Sequence, residues 1–175
     1  MTEDNNLPTK LSQSIHIGLV NPKSASNVAV ILRAAGCFGV QSILYTGKRY
    51  THAKQFHEDT KNFRQTIPNE AVESLITACP NNAKKVVIEL TEGAKSLTTF
   101  KHPDDAFYIF GPEDGTVPQS IIDVADHVVY IPTNSSLNLA VTANIVLYDR
   151  LAKSEFVGND ELIKLSRDRN NSSIV

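Results

Sequence analysis

A chain of 175 residues with 41% hydrophobic and 21% charged residues fits one sizeable core and is short for two. The formal net charge of −2 excludes a globally basic nucleic-acid binder, so any RNA-binding charge must be local or pooled across subunits. Two cysteines, Cys37 and Cys79, cannot build a disulfide framework; with a polar, acidic start and no apolar run near the ~20 residues of a membrane span, a cytoplasmic protein without membrane attachment is expected.

Residues 1–12 are polar and expected to be flexible. Ile15, Ile17 and Leu19 alternate between Ser14 and Val20, the pattern of a strand entering a core. After Asn21-Pro22, a helix is predicted from about Ser26 to Phe38. Val30, Ala34 and Cys37 share one of its faces, with Val28, Leu32 and Ala35 close by, and Cys37 is expected to be packed in the core. Gly36 and Gly39 mark its end. Ser42–Tyr45 is a second strand, and a polar stretch runs from Gly47 to about Thr66. Pro68 is predicted to open a helix to about Ala78. Strands are predicted at Lys85–Leu90 and Ala106–Phe110, then a short helix around Ser120–Val124, a strand at His127–Ile131 and a long helix from about Leu137 to Lys153. This alternation predicts an α/β fold, a mostly parallel sheet with helices on both faces. One domain over 13–154 is expected, with a polar tail over 155–175.

Such sheets bind ligands beyond the carboxyl ends of their strands. Neither G-x-G-x-x-G after the first strand nor G-x-x-x-x-G-K-[ST] is present, which argues against a dinucleotide dehydrogenase or a P-loop NTPase. Three stretches instead join a strand end to polar residues. Asn27 sits near the first helix start and Arg33 six residues on; capping and solvation alone would account for them equally well. Phe110, Gly111, Glu113 and Gly115 put a carboxylate and two glycines at a strand mouth, where a plain turn is the competing explanation. Ile131 and Pro132 lead through a polar loop to Ser136, Leu137 and Asn138, where a helix apolar around most of its circumference begins.

In this order the three stretches resemble the signature motifs of the TrmH (SpoU) branch of the SPOUT superfamily of RNA methyltransferases, over roughly residues 14 to 153. Asn27, Arg33, Ala35, Phe38 and Gly39 match motif one, with Ala29 where glycine is commoner. Phe110, Gly111, Glu113 and Gly115 match motif two, the last glycine one residue early. Ile131, Pro132, Ser136, Leu137, Asn138, Leu139 and Ala140 match motif three, with a shorter loop than in many relatives. The resemblance implies a SPOUT α/β fold with a C-terminal deep trefoil knot, S-adenosylmethionine as cofactor and a homodimer. It also implies 2′-O-methylation of RNA, tRNA favoured over rRNA because no extra RNA-binding module is attached. Cofactor contacts are implied at Leu90, Thr91, Phe110, Gly111, Glu113, Gly115, Ile131, Pro132, Ser136, Leu137, Asn138 and Ala140. The catalytic set that the resemblance implies is Arg33, orienting the 2′-hydroxyl, with Asn27, Glu113 and Asn138 holding the geometry.

RNA phosphates are expected at Lys48, Arg49, Lys54 and Arg64, with Lys61 nearby, among aromatics able to stack on unpaired bases; a solvated loop whose aromatics belong to the core is the competing explanation. His52 and His57 lack any standard zinc spacing, so no metal is expected. The surplus apolar surface of the last long helix independently asks for a second apolar face, as a homodimer supplies. An rRNA enzyme, a base methyltransferase of the same superfamily and a non-catalytic RNA-binding module are the alternatives.

Overall fold

Alternating side chains put two different apolar faces on one sheet. In the strand Ala106–Phe110, Ala106, Tyr108 and Phe110 join one buried cluster while Phe107 and Ile109 join the other. All five are buried, as expected of a central strand covered on both sides. The computed structural model describes residues 13–53, 67–168, 170, 171, 173 and 174. Its strands are β1 (Ile15–Leu19), β2 (Ser42–Tyr45), β3 (Asn69–Ala71), β4 (Lys84–Ile88), β5 (Lys95–Ser96), β6 (Ala106–Phe110) and β7 (His127–Tyr130). They form a seven-stranded sheet in the order β3-β2-β1-β6-β4-β7-β5, every pairing parallel. The predicted α/β class is therefore observed. No helix among the described residues is long and apolar enough to cross a membrane.

One face is covered by α1 (Ala25–Phe38) and α4 (Leu139–Ala152), which pack on each other and on the first cluster. The other carries Leu75, Val117 and Ile121, the last from α3 (Gln119–Ile122). Two further short helices among the described residues are α2 (Arg49–Ala53) and α5 (Asp160–Ser166). The helix α5 lies in the polar tail and buries none of its residues.

Two expectations fail here. Residues 68–78 do not form a helix: Asn69–Ala71 completes the sheet edge as β3, because the Pro68 carbonyl accepts from Ile43 and the Tyr45 carbonyl from Val72. A single turn comes after β3, its start capped by the Ser74 hydroxyl. The face of α1 is also rotated. Val28, Ile31, Leu32 and Ala35 face the sheet, whereas Val30 is 49% exposed and Cys37 is exposed rather than packed in the core.

The end of α4 remote from its N-cap is held by a polar network in the interior. Arg150, only 7% exposed, donates to the Pro103 and Asp104 carbonyls and to the Tyr108 hydroxyl. Burial pushes the Tyr108 pKa up to about 12, so its hydroxyl keeps its proton and donates it to His102 Nδ1, 2.6 Å away. His102 Nε2 then donates to Asp149 at 2.9 Å, where Lys153 also donates. This pattern needs a neutral imidazole, and burial lowers the His102 pKa despite the opposing pull of Asp149. His16 and His127 are lowered as well, again chiefly by burial.

The unfolded chain protonates these histidines near pH 6.5 while the folded chain resists, so stability is full above pH 6.5 and falls below it. His102 contributes at most about 1.4 kcal/mol per pH unit over its window, and the more exposed His16 and His127 contribute less because solvent screens them. Denaturant titrations between pH 8 and 5.5 should show this fall. His102→Phe should lower stability at pH 8 yet flatten the pH slope; an unchanged slope would contradict a neutral buried His102.

Candidate active site

The loops after β1, β4, β6 and β7 meet at one end of the sheet because parallel strands end together. Between those after β4, β6 and β7 lies an open cleft of about 790 Å³, mouth included. Its apolar wall is Ile88, Leu90, Phe110, Ile131, Leu137 and Leu139, and its polar groups include Glu89, Glu113, Thr133, Ser136 and Thr142. A side chain at Gly111 would be tight: a Cβ there would stand 3.3 Å from Glu89 Oε2 and from the Val117 nitrogen, so these neighbours would have to give by a few tenths of an ångström.

A line of hydrogen bonds joins three loops beside this cleft. The Glu113 carboxylate accepts from the Lys23 and Ser24 backbone N–H groups at 2.8 and 2.9 Å, and from the Asn27 amide at 2.9 Å. The acid therefore faces the N-terminal turn of α1, where the helix dipole and free N–H groups favour negative charge. Partial burial opposes ionisation, but the bonds from Asn27, Lys23 and Ser24 outweigh it and hold the Glu113 pKa below the usual carboxylate value. Asn138 caps α4, its oxygen accepting from Ala140 and Val141. Its amide nitrogen must then point away from the helix, and it donates to Asn27 Oδ1 at 3.1 Å. Each amide orientation is fixed by its neighbour, so Asn27 presents its nitrogen to Glu113 and its oxygen to Asn138.

Of the residues implied for the cofactor, Leu90, Phe110, Gly111, Glu113, Gly115, Ile131, Ser136 and Leu137 line the cleft. Thr91, Pro132, Asn138 and Ala140 do not; Ala140 is buried in the core cluster, and Asn138 caps α4. Arg33 is exposed, its side chain bonded to no described residue, and it is absent from the cleft wall of its own chain. Glu89 was missed, although it ends an apolar strand in a carboxylate, the signal that drew attention to Glu113. It accepts from Leu90 N and Val117 N, tying the β4 end to the loop after β6. Tyr130, Thr133, Leu139 and Thr142 were missed too, each next to a motif residue or on the first turns of α4.

Arg49, expected on RNA, is engaged within the chain. Its guanidinium donates to the Asn21 carbonyl and, at 2.8 and 3.0 Å, to both oxygens of Asp114. Lys48 is exposed, and its side chain makes no bond to a described residue. Lys54, Lys61 and Arg64 lie outside the described residues.

The model of the SpoU rRNA Methylase family matches residues 14–148. No curated protein matches this chain. Among solved structures, the fold is similar to a TrmH/SpoU tRNA modifying enzyme from A. aeolicus, with a TM-score of 0.73 and 20% identity over 89% of this chain and 87% of that one. A structure addressing 2-OH methylation of C/U34 on tRNA is similar at a TM-score of 0.68 and 19% identity, over 79% of this chain and 95% of that one. An AdoMet-bound rRNA methyltransferase from Sinorhizobium meliloti is similar at 0.66 and 20% identity, over 81% of this chain and 57% of that one. At these identities the likeness establishes the fold.

Proposed function

We propose, from the premise that this chain belongs to the SpoU rRNA methylase family of RNA methyltransferases, that it methylates a ribose 2′-hydroxyl of tRNA using S-adenosylmethionine. The observation that carries this is the Glu113–Asn27–Asn138 line, which ties the three motif-bearing segments together beside one cleft. The cleft suits this cofactor. Among the described residues, two carboxylates, Glu89 and Glu113, and no lysine or arginine line it, which favours a sulfonium cation over a phosphate-bearing nucleotide. Ile88, Leu90, Phe110, Ile131, Leu137 and Leu139 offer an apolar seat for an adenine ring. Bound there, S-adenosylmethionine supplies a methyl group on a leaving sulfur that needs no acid. The loops over 110–117 and 131–138 are, in this reading, parts of the family's trefoil knot.

The protein's task is to position a weakly acidic hydroxyl. A guanidinium is a poor base, so Arg33 orients the oxygen and stabilises the negative charge that develops there, while the hydroxyl proton leaves to a neighbouring phosphate of the RNA. Because Arg33 does not reach its own chain's cleft, the site is completed in a symmetric homodimer. Val30 shares the exposed side of α1 with Arg33, and Val141 and Tyr148 are exposed on the neighbouring α4 at 47% and 63%, with Ile145 between them. These residues form the apolar face for the second copy.

Nucleoside analysis of RNA from a strain lacking the gene tests the assignment. One 2′-O-methylated nucleoside should disappear from tRNA; loss from rRNA, or of a base-methylated nucleoside, overturns the substrate. Calorimetry showing no S-adenosylmethionine binding would favour the non-catalytic alternative. For the RNA face, Lys48→Ala should reduce the log–log salt slope of binding by about 0.7–0.9, one phosphate contact, without changing cofactor affinity. An unchanged slope places the RNA elsewhere.

A further inference from the structure

Asn21, at the end of β1, has a left-handed backbone with φ 42, which is uncommon outside glycine. Its hydrogen-bond partners among the described residues come from the segment after β2. Its N–H donates to the Thr46 hydroxyl at 3.2 Å. Its side-chain oxygen is buried, without a hydrogen-bond partner among the described residues, against Gly47, where a Cβ would lie 2.1 Å away. Its carbonyl accepts both Nε and Nη2 of Arg49. The remaining arm of Arg49 grips Asp114, which also takes Lys23 at 3.4 Å. One side chain on α2 thus spans the loop after β1 and the loop after β6, the two loops that Glu113 joins from the cleft side.

We propose that Arg49 is a positioning residue for methyl transfer rather than a phosphate contact: with Asp114 it latches the loop bearing Glu113 to the loop that starts α1, and so sets where Asn27 and Arg33 stand. This rests on the methyltransferase reading. A planar fork meeting a carboxylate and a carbonyl at once is a geometry lysine cannot reproduce. A guanidinium already holding three acceptors also has little left for phosphate. The residue sits at the first position of α2, beside the exposed Lys48, so RNA arriving at α2 presses on the same segment that fixes the cleft loops.

The test compares Arg49→Ala, Asp114→Asn and the double variant with wild type. The measurements are single-turnover methyl transfer to unmodified tRNA, RNA affinity as a function of salt, and amide exchange at Lys23, Ser24 and Val117. Each single change should slow methyl transfer about tenfold in folded protein, and the double change no further, because both break one latch. Exchange at Lys23 and Ser24 should accelerate, and the salt slope should not move. Three results would each overturn the proposal. One is a slope lowered by about 0.7–0.9 with an unchanged rate, accompanied by tighter RNA binding in Asp114→Asn. The second is additive loss in the double variant. The third is unchanged exchange at Lys23 and Ser24. If Arg49→Ala does not fold, Asp114→Asn, at a side chain 47% exposed, carries the same comparison. A wild-type protein that methylates no RNA would refute the function, while the exchange measurement would still decide the latch.

Discussion

Replacing Arg33 by alanine is expected to slow methyl transfer by about 10²–10³-fold, the usual cost of removing one group that stabilises charge in a transition state. Cofactor affinity should stay within a few-fold of wild type, since Arg33 touches neither the cleft wall nor the Glu113–Asn27–Asn138 line. Stability should barely change, because the side chain is exposed and bonded to no described residue. The experiment also tests the dimer. An Arg33→Ala chain mixed with a chain whose cleft is blocked, for example by Leu137→Arg, forms mixed pairs in which one intact cleft meets one intact Arg33. Random pairing should then restore about a quarter of wild-type activity if the arginine works across the interface. Recovery of nothing from the mixture, with both variants paired, places Arg33 in its own chain's site. Equal loss of cofactor binding in Arg33→Ala removes it from the catalytic role altogether.

Glu113→Ala should abolish activity by a different route, losing cofactor binding and stability together. The change leaves the Lys23 and Ser24 N–H groups and the Asn27 amide without their acceptor. Water reaches part of this region, so a destabilisation of about 2 kcal/mol is expected rather than the sum of three buried losses. Asn27, released at one end, no longer fixes Asn138, and the loop ahead of α4 loosens where Leu137 lines the cleft. Glu113→Gln isolates the charge. Its amide keeps one acceptor but turns an NH₂ towards N–H donors, so it should recover only part of the loss.

The folded pKa of Glu113 is depressed, so its contribution is complete above the unfolded value near 4.5 and is lost as pH falls through the lower folded value. That acid limb should be missing from Glu113→Gln. A variant as stable and as tight for S-adenosylmethionine as wild type would show that the carboxylate does not hold the site.

Features written in neighbouring residues are legible in the sequence alone. Alternation at Ile15, Ile17 and Leu19 reports a strand, and Asn138 ahead of an apolar run reports a helix start. The three motif segments are visible for the same reason, each being a strand end, a short polar loop and a cap. Where local signals compete, the sequence misleads. Pro68 and the residues after it read as a helix, but the open edge of β2 offered backbone partners that a short isolated helix could not match. On α1 the apolar residues surround the axis so evenly that periodicity could not tell which stripe met the sheet, and Cys37 fell outside it.

What the sequence by itself determined is the class of fold, the position of its strand ends and the residues that could carry chemistry there. Only the tertiary structure decided which donor meets which acceptor. Asn27 finds Glu113 86 residues away and Asn138 111 away, and Arg49 finds Asp114 across 65. Nothing within a local window encodes those pairings. They exist because a parallel sheet delivers the ends of β1, β6 and β7 to one edge, where charges and amides too far apart to sense each other along the chain come within about 3 Å and settle into roles. Arg49 illustrates the consequence: its residue type suits a phosphate, and its surroundings make it a clamp.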